Sequence, residues 1–398
     1  GRKPNFIIIF VDDLGYGDLG SYGHPTIKTP NLDKMADEGM RFTQFYVGSS
    51  ICTPSRAALL TGKLPVQTGM YGKRSVLFPD NAGGLDPKEV TIASALKDYD
   101  YNTACIGKWH LGHLEQYMPL NHGFDSFFGI PYSNDMRPEG KWDYARENFP
   151  PLPFLDGSDT LGVSLDQSNF IKMFTKKSIE FILENRNQPF FLYLAHTAPH
   201  TPLMLSKENK GLSIRGTYGD VVEEIDRSVG EILKTLSKLN IAKNTLVLFT
   251  SDNGPNVGNN LGPTPENGGL RGKKAKIWEG GLRVPFIASL PGKLQAGTIN
   301  KNTFSLTDLY ATLANLLGHE LSPLEAQDSH NSLPYWLGTR KEEDERTRIF
   351  FCHLGPPFLN DTLAMVQGHR KLLVKGGLAL PSIPKGQRGA ATPLAFYD

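Results

Sequence analysis

Cysteine, net charge and long apolar runs are all scarce in this chain of 398 residues. Three cysteines, at positions 52, 105 and 352, are too few for a disulfide framework, and the sequence leaves open whether Cys105 and Cys352 pair. A formal net charge of +1 excludes a broadly basic surface for nucleic acid, so any anion site must be a local cluster. No apolar run has the length of a transmembrane helix, so we expect no membrane span.

What remains is the composition of an ordinary globular protein, with 39% hydrophobic and 21% charged residues. The length allows one large domain and a smaller one, which we place at residues 1–338 and 339–398. In the larger part, apolar strand-like runs alternate with helical patterns, as in α/β folds built on a mostly parallel sheet. In the smaller part, short strand-like runs predict an antiparallel sheet.

Two strand-like runs end in acidic or amide side chains. Asn5–Val11 is continuously apolar, as in a strand buried on both faces, and it leads into Asp12–Asp13. Thr245–Thr250 leads into Asp252–Asn253 after one serine. Each pair alone is typical of a helix cap or a solvated turn, but open α/β sheets bring the carboxyl ends of parallel strands together. The sequence therefore predicts an oxygen-lined cage for a hard cation, calcium or magnesium.

Residues 52–62 read as a short helix whose first residue is a cysteine. Pro54 suits the first turn, and Gly62 suits the C-terminal end. Cys52 therefore lies at a helix N-terminus, where N–H groups favour an anion, and Arg56 reaches the same spot from position i+4. A structural thiol beside a surface arginine is the alternative interpretation of this pair.

Further basic side chains follow other strand-like runs. Lys108 and His110 lie in a glycine-bounded loop, His200 lies in a loop with two prolines, and Lys274 lies in a basic cluster. Taken singly, each of these side chains is as typical of a surface or structural residue as of a functional site.

Read as whole phrases, these segments resemble the type I, formylglycine-dependent sulfatases. The resemblance rests on Cys52-Thr53-Pro54-Ser55-Arg56, on Gly107-Lys108-Trp109-His110-Leu111-Gly112, on Gly129–Asp135 and on the lysines before Glu279-Gly280-Gly281. The phrase Gly129–Asp135 is similar to the arylsulfatase A and galactosamine-6-sulfatase branch. The resemblance implies an alkaline-phosphatase-like fold, in which helices sandwich a mixed sheet and a small antiparallel sheet forms a C-terminal subdomain. Relatives usually continue beyond the final residues 394–398, so we expect this subdomain to be incomplete here.

The resemblance also implies a set of site residues. A maturation enzyme converts Cys52 to formylglycine (3-oxoalanine), and a calcium ion is held by Asp12, Asp13, Cys52, Asp252 and Asn253. The catalytic set comprises Cys52, Arg56, Lys108, His110, His200 and Lys274, and Ser133 touches the sulfate. In this set His110 takes a proton during sulfate elimination, and His200 protonates the leaving oxygen. Lys274 is assigned by counting back from Glu279, because the family usually has Gly-Lys-Gly-Thr and this sequence differs at Lys273, Ala275 and Lys276.

The branch implies a sulfated carbohydrate substrate, a galactan-type polysaccharide or a galactosamine-containing glycosaminoglycan. Residues 137–161 show no helical or strand period and read as a long loop, which is either functional or a packed surface loop. Stacking aromatic rings and cations suit a polyanionic sugar chain, so the substrate-binding candidates are Arg74, Trp142, Tyr144 and Arg146.

Few cysteines and a single glycosylation pattern at Asn360 favour a bacterial exported enzyme, periplasmic or secreted, over a lysosomal one. Three other functions stay open. The chain could be a phosphate or phosphonate ester hydrolase of the same fold, a sulfoglycan-binding protein if Cys52 is never converted, or a cysteine hydrolase using Cys52 and His110. The single predicted cage and the complete C-T-P-S-R phrase favour the sulfatase.

Overall fold

The computed structural model describes residues 2–71, 75–139, 148–256, 266–341, 346–352, 362–368, 370–375 and 392–397. The strands of its main sheet are β1 (Asn5–Val11), β2 (Met40–Tyr46), β3 (Asn102–Lys108), β4 (Ser126–Ile130), β5 (Pro153–Asp156), β6 (Asp159–Val163), β7 (Phe190–Ala195), β8 (Thr245–Ser251), β9 (Phe286–Ser289) and β10 (Thr298–Ser305). They are hydrogen-bonded in the order β10-β2-β9-β8-β1-β7-β3-β4-β5-β6. Strands β8, β1, β7, β3 and β4 are mutually parallel, and β9 is antiparallel to both β8 and β2.

Helices cover both faces of this sheet. They are α1 (Pro30–Glu38), α2 (Cys52–Thr61), α3 (Ile92–Lys97), α4 (Phe170–Glu184), α5 (Gly216–Lys238), α6 (Glu279–Leu282), α7 (Asp308–Leu317) and α8 (Leu333–Trp336). Successive side chains of a strand point to opposite faces, so β1 contributes Ile8 to a core shared with α2 and α7, and Ile9 to a core shared with α4 and α5. The predicted mixed α/β sheet between helices is therefore confirmed.

A second, four-stranded antiparallel sheet follows in the order β11 (Arg348–Cys352), β12 (Thr362–Gln367), β13 (Arg370–Lys375) and β14 (Thr392–Tyr397). Its side chains Phe350, Val366 and Leu373 belong to the same apolar core as one face of the main sheet. Lys371 also donates to Glu279 of α6 at 2.6 Å. The small sheet predicted for the C-terminal part is thus present and packed on the main sheet, while the division at residue 338 stays a prediction.

One local expectation was wrong. The segment 137–161 was expected to be a loop without regular structure, yet it contains β5 and the start of β6. A turn at Gly157, whose φ is +63°, joins these strands into an antiparallel hairpin at the edge of the sheet. Much of β6 is exposed, so its side chains carry too little of a buried-and-exposed alternation to be recognised.

Cys105 is a buried free thiol within β3, and the side chain of Cys352 lies outside the described residues. Within the described ranges, none of the helices combines the length and the apolar character needed to cross a membrane.

Candidate active site

The site forms where β1 and β8 end side by side. Parallel pairing sets Val11 opposite Ser251, so the residues that follow, Asp12 and Asp252, emerge next to each other. The backbone N–H of Asp252 donates to the Val11 carbonyl at 3.0 Å, which continues the pairing into the site. Asp13 takes a left-handed backbone conformation, with φ of 70°, and its N–H donates to the Asp252 carboxylate at 3.2 Å. The carboxyl ends of two buried strands thus present their acidic side chains to one place.

Two fully buried cations lie against these carboxylates. Arg56 of α2 contacts Asp252 at 2.8 Å and Asp12 at 3.3 Å, and it donates to the backbone carbonyl of Lys108 at 3.1 Å. The Lys108 amine, at the end of β3, lies 2.5 Å from Asp12 and donates to the Ser133 hydroxyl at 3.1 Å. Neither cation reaches solvent, so both depend on their carboxylate partners for compensation.

Asp13 gathers a second set of partners. The Lys274 amine lies 2.7 Å from one Asp13 oxygen, and His200 Nε2 lies 3.6 Å from the other. His200 Nδ1 is 2.6 Å from the carbonyl of Thr201, which can only accept, so that nitrogen carries a proton and Nε2 faces the site. The amide nitrogen of Asn253 lies 2.6 Å from Asp13.

Burial and the neighbouring cations shift the pKa values of the acidic groups in opposite directions. Burial alone would raise the pKa of Asp12, but Lys108, His200 and Arg56 hold it well below its usual range. Burial and the neighbouring Asp12 carboxylate raise the pKa of Asp252 to about 6, against the attraction of Arg56. Asp12 is therefore the permanent anion of the pair.

Cys52 is the first residue of α2 and is buried at the centre of the cluster. Its sulfur lies 3.7 Å from an Asp12 oxygen. Burial raises the pKa of the thiol, against the attraction of Lys108 and Lys274, so the thiolate is disfavoured. This environment is unsuited to a cysteine hydrolase, which needs an accessible thiolate.

His110 is also buried beside this helix. Its Nε2 lies 2.9 Å from the carbonyl of Leu77 and must therefore donate, which leaves Nδ1 as an acceptor; Nδ1 is buried and has no hydrogen-bond partner among the described residues. Burial, Lys108 and Arg56 all lower the pKa of His110, so its neutral form prevails. Thr53 of α2 donates to the His110 carbonyl at 3.0 Å and fixes the loop against the helix.

Asp135 lies two residues after Ser133 and was missed as a candidate in the sequence. It is buried, and although burial would raise its pKa, His200, a hydrogen bond from Ser133 and Lys108 lower it. The signal available was its place in the phrase Gly129–Asp135, where it is the residue that completes the match. The described structure adds this fourth carboxylate to the electrostatics of the cluster.

The donor set can hold a metal ion. One ligand atom from each of Asp12, Asp13, Cys52 and His200 lies within 4.8 Å of the others, so His200 joins the expected members of the cluster. The Oδ1 atom of Asn253 is buried and has no hydrogen-bond partner among the described residues. An amide turned by 180° would present that oxygen to Asp13 in place of the nitrogen, as a cation between them requires.

Four of the expected substrate-binding residues cannot be placed. Arg74, Trp142, Tyr144 and Arg146 lie outside the described residues. The remaining candidates, from the acidic strand ends to Ser133 and Lys274, all lie in the one cluster described above.

Comparison with known proteins points in one direction. A family model described as Sulfatase matches residues 4–319. N-acetylgalactosamine-6-sulfatase of Homo sapiens is 38% identical over 388 residues, which span 92% of this chain and 72% of that protein. Arylsulfatase A of Bos taurus is 40% identical over an alignment of 421 positions, gaps included, which covers 99% of this chain and 80% of that protein.

Solved structures give the same picture. The crystal structure of Ps i-CgsB in complex with k-i-k-neocarrahexaose superposes with a TM-score of 0.80 at 29% sequence identity. The superposition covers 96% of this chain and 85% of that one. The likeness thus extends over the main sheet and the smaller C-terminal sheet together.

Proposed function

This chain belongs to the sulfatase family and is a sulfuric ester hydrolase, and from that premise we propose that it removes sulfate from a carbohydrate by way of formylglycine at position 52 and a bound calcium ion. The substrate we propose is a sulfated galactan or a galactosamine-containing saccharide.

The observation that carries this proposal is the balance of charge around residue 52. Four carboxylates face three cations in a buried cluster whose members are Asp12, Asp13, Asp135, Asp252, Arg56, Lys108 and Lys274. These side chains together carry a net charge close to −1, so a divalent cation would leave a surplus of positive charge. Such a preorganised surplus in a water-poor site stabilises an anionic ester and the charge that develops on its oxygens during cleavage.

Formylglycine would supply the nucleophile, since its hydrate carries one hydroxyl to attack sulfur and a second whose deprotonation expels sulfate. The residues around it are placed for the accompanying steps. Arg56 and Lys108 place positive charge next to Asp12, and Lys274 places positive charge next to Asp13. Ser133, bonded to Lys108, is a further donor for a sulfate oxygen.

Proton transfer falls to the two histidines. Neutral His110, with an unpartnered buried nitrogen, suits a general base that takes the proton when sulfate is eliminated. His200, with its Nε2 facing Asp13, suits a general acid that protonates the departing sugar oxygen, with Lys274 beside it.

Calcium would be held by Asp12, Asp13, Asp252 and Asn253 together with residue 52. Oxygen ligands of this kind suit a hard cation, and the orphaned Asn253 oxygen supports the assignment. When bound, the ion supplies positive charge for the ester oxygens and orients residue 52.

Two measurements test the reaction class. The protein is produced together with a formylglycine-generating enzyme, and the tryptic peptide that contains residue 52 is examined by mass spectrometry, where an aldehyde is expected. Rates on nitrophenyl sulfate and nitrophenyl phosphate are then compared, with Cys52→Ala as the inactive control. A fully converted protein that hydrolyses the phosphate faster would favour the phosphatase, and one that binds sulfated sugars but hydrolyses neither would favour a binding protein.

The substrate proposal rests on the relatives, one of which is a sulfatase of N-acetylgalactosamine and another of which was solved with a neocarrahexaose. Sulfate release is measured on carrageenan, chondroitin and heparin oligosaccharides, with release from the first two expected. Activity confined to the glucosamine sulfates of heparin would defeat the galactose-type substrate and leave the sulfatase reaction intact. Such polymers lie outside the cell, which supports the proposal that the enzyme is exported to the periplasm or secreted.

A further inference from the structure

A cavity of about 350 Å³ lies between the main sheet and the small C-terminal sheet. Its volume falls within the range of about 300–1,000 Å³ typical of small-molecule sites. Four cations line it, Arg271, Arg283, Arg370 and Lys371, against one carboxylate, that of Glu279. In a chain whose net charge is +1, this is a marked local excess of positive charge.

The cavity lies at the same edge of the sheet as residue 52. One of its walls is Tyr46, the last residue of β2, and β2 runs parallel to β1 because β9 is antiparallel to β2 and to β8. The segment 271–283, which includes α6, carries Lys274 into the active site and Arg271 into the cavity. Its Ala275 N–H donates to the carbonyl of Ser50 at 2.8 Å, two residues before Cys52.

Two of these cations, Arg283 and Lys371, are held in place by the walls. Glu279 accepts from Lys371 at 2.6 Å and from Tyr46 at 2.8 Å, and Arg283 donates to the Thr43 carbonyl at 2.6 Å. These partners fix the positive groups before any ligand arrives, which reduces the entropy lost on binding.

Arg271 is an exposed cation of the lining, as is Arg370. Its guanidinium lies over the Trp278 ring, 3.6 Å from the ring centroid. Stacking uses the face of a guanidinium and leaves its N–H edge for an oxyanion, which it contacts in the fork geometry that suits sulfate and carboxylate.

From these observations we infer that the cavity between the two sheets binds a second anionic group, a sulfate or a carboxylate, on the saccharide chain whose sulfate ester is cleaved at residue 52. The inference rests on the proposed function, since it concerns the same substrate. It implies that the enzyme prefers an oligosaccharide with several anionic groups to a monosulfated sugar.

Binding measured without turnover tests this inference. In protein carrying Cys52→Ala, dissociation constants are measured by calorimetry for a carrageenan hexasaccharide, a chondroitin 6-sulfate hexasaccharide and galactose 6-sulfate. The double variant Arg271→Ala/Arg370→Ala is expected to weaken hexasaccharide binding at least tenfold, while the constant for galactose 6-sulfate changes less than twofold. A loss on chondroitin sulfate alone assigns the cavity to a carboxylate, and a loss on carrageenan alone assigns it to a sulfate.

The matched control is Lys293→Ala, which removes an exposed cation that follows β9 at the opposite edge of the sheet. It is expected to leave all three constants unchanged. Equal weakening of hexasaccharide and monosaccharide, unchanged hexasaccharide binding, or no binding by the parent protein would overturn the inference. Should the double variant unfold early in a thermal scan, the single variant Arg370→Ala and a smaller salt dependence of its hexasaccharide binding provide the same test.

The two proposals fail separately. If the converted enzyme releases no sulfate but the double variant still loses hexasaccharide affinity, the anion cavity stands and the sulfatase reaction on that sugar does not. If sulfate is released and the hexasaccharide constant is insensitive to both arginines, the reaction stands and the cavity does not.

Discussion

Removing Arg56 is expected to destabilise the protein through the carboxylates it serves. The side chain is fully buried and joins Asp252 at 2.8 Å, Asp12 at 3.3 Å and the Lys108 carbonyl at 3.1 Å. In Arg56→Ala, Asp12 keeps its contact with Lys108, but the Asp252 carboxylate loses its close cation. Removing one partner of a buried pair costs about 3–5 kcal/mol, and we expect a loss of that size in the free energy of unfolding.

The loss should grow with pH. Burial raises the pKa of Asp252 to about 6 in the folded protein, against about 4 in the unfolded chain, so the folded state holds the proton more tightly. Its contribution to stability therefore falls as the pH rises from about 4 to 6. Without Arg56 the folded pKa of Asp252 rises further and the fall continues above pH 6. The decrease in the free energy of unfolding caused by Arg56→Ala is thus larger at pH 8 than at pH 5.

Urea unfolding with a chelator present, at both pH values, measures these differences without a bound cation. Arg56→Lys is the matched control, since it keeps the charge but not the two-pronged geometry, and it should lose less than the alanine variant. The double variant Arg56→Ala/Asp252→Asn should be more stable than the sum of the single losses by about 1–3 kcal/mol. An alanine deficit below about 1 kcal/mol, or one independent of pH, would refute the reasoning.

Three further outcomes are expected. His200→Ala should lower the rate on sugar sulfates about 10²–10⁴-fold and on nitrophenyl sulfate far less, because a good leaving group needs no general acid. The control His196→Ala alters a buried histidine bonded to Ser228 and should affect both substrates alike. Equal losses on both substrates in His200→Ala would contradict its role as the general acid. Relative to protein with calcium at 100 times Kd, protein with a chelator should have a free energy of unfolding about 3 kcal/mol lower. Asn253→Ala should make that difference smaller, because it removes a proposed ligand. A urea midpoint that is the same with calcium and with chelator would contradict the cation site. Asp18→Asn should lower the free energy of unfolding by about 2–4 kcal/mol, because the carboxylate accepts hydrogen bonds from Gly15, Glu266 and Tyr218 at once and an amide has one acceptor oxygen. Urea unfolding measures the change, and a decrease of less than about 0.5 kcal/mol would contradict the prediction.

The strand ends could be predicted because a continuous run of apolar residues indicates a strand that is buried on both faces. β1 is apolar at nearly every position and buried along its whole length, and the acidic pair after it can only lie at the sheet edge. β8 repeats the arrangement with Asp252, and parallel pairing, a general property of such sheets, brings the two ends together. No detailed geometry was needed for this step.

Other features were beyond the reach of periodicity. The hairpin of β5 and β6 lies in a segment without clear alternation, because much of β6 is exposed and the strands sit at the edge of the sheet. Asp135 belongs to the site through its electrostatic interactions with His200 and Lys108, which are distant in the sequence and follow no local period. The cavity beneath Arg271 and Arg370 depends on how the small sheet packs, and residues about 100 apart in sequence carry no local sign of that contact.

The division of labour within the site explains this difference. Its carboxylates come from the sheet, which fixes Asp12 and Asp252 by backbone pairing. Its cations come from separate segments: Arg56 of α2 contacts Asp252, Lys108 at the end of β3 contacts Asp12, and Lys274 of the segment 271–283 contacts Asp13. The acidic strand ends are therefore the organising centre, because they gather cations from three segments that lie far apart in the sequence. We expect a change in the pairing of β1 and β8 to disrupt the contacts of all three cations, whereas the loss of one cation leaves the backbone pairing of the two strand ends in place.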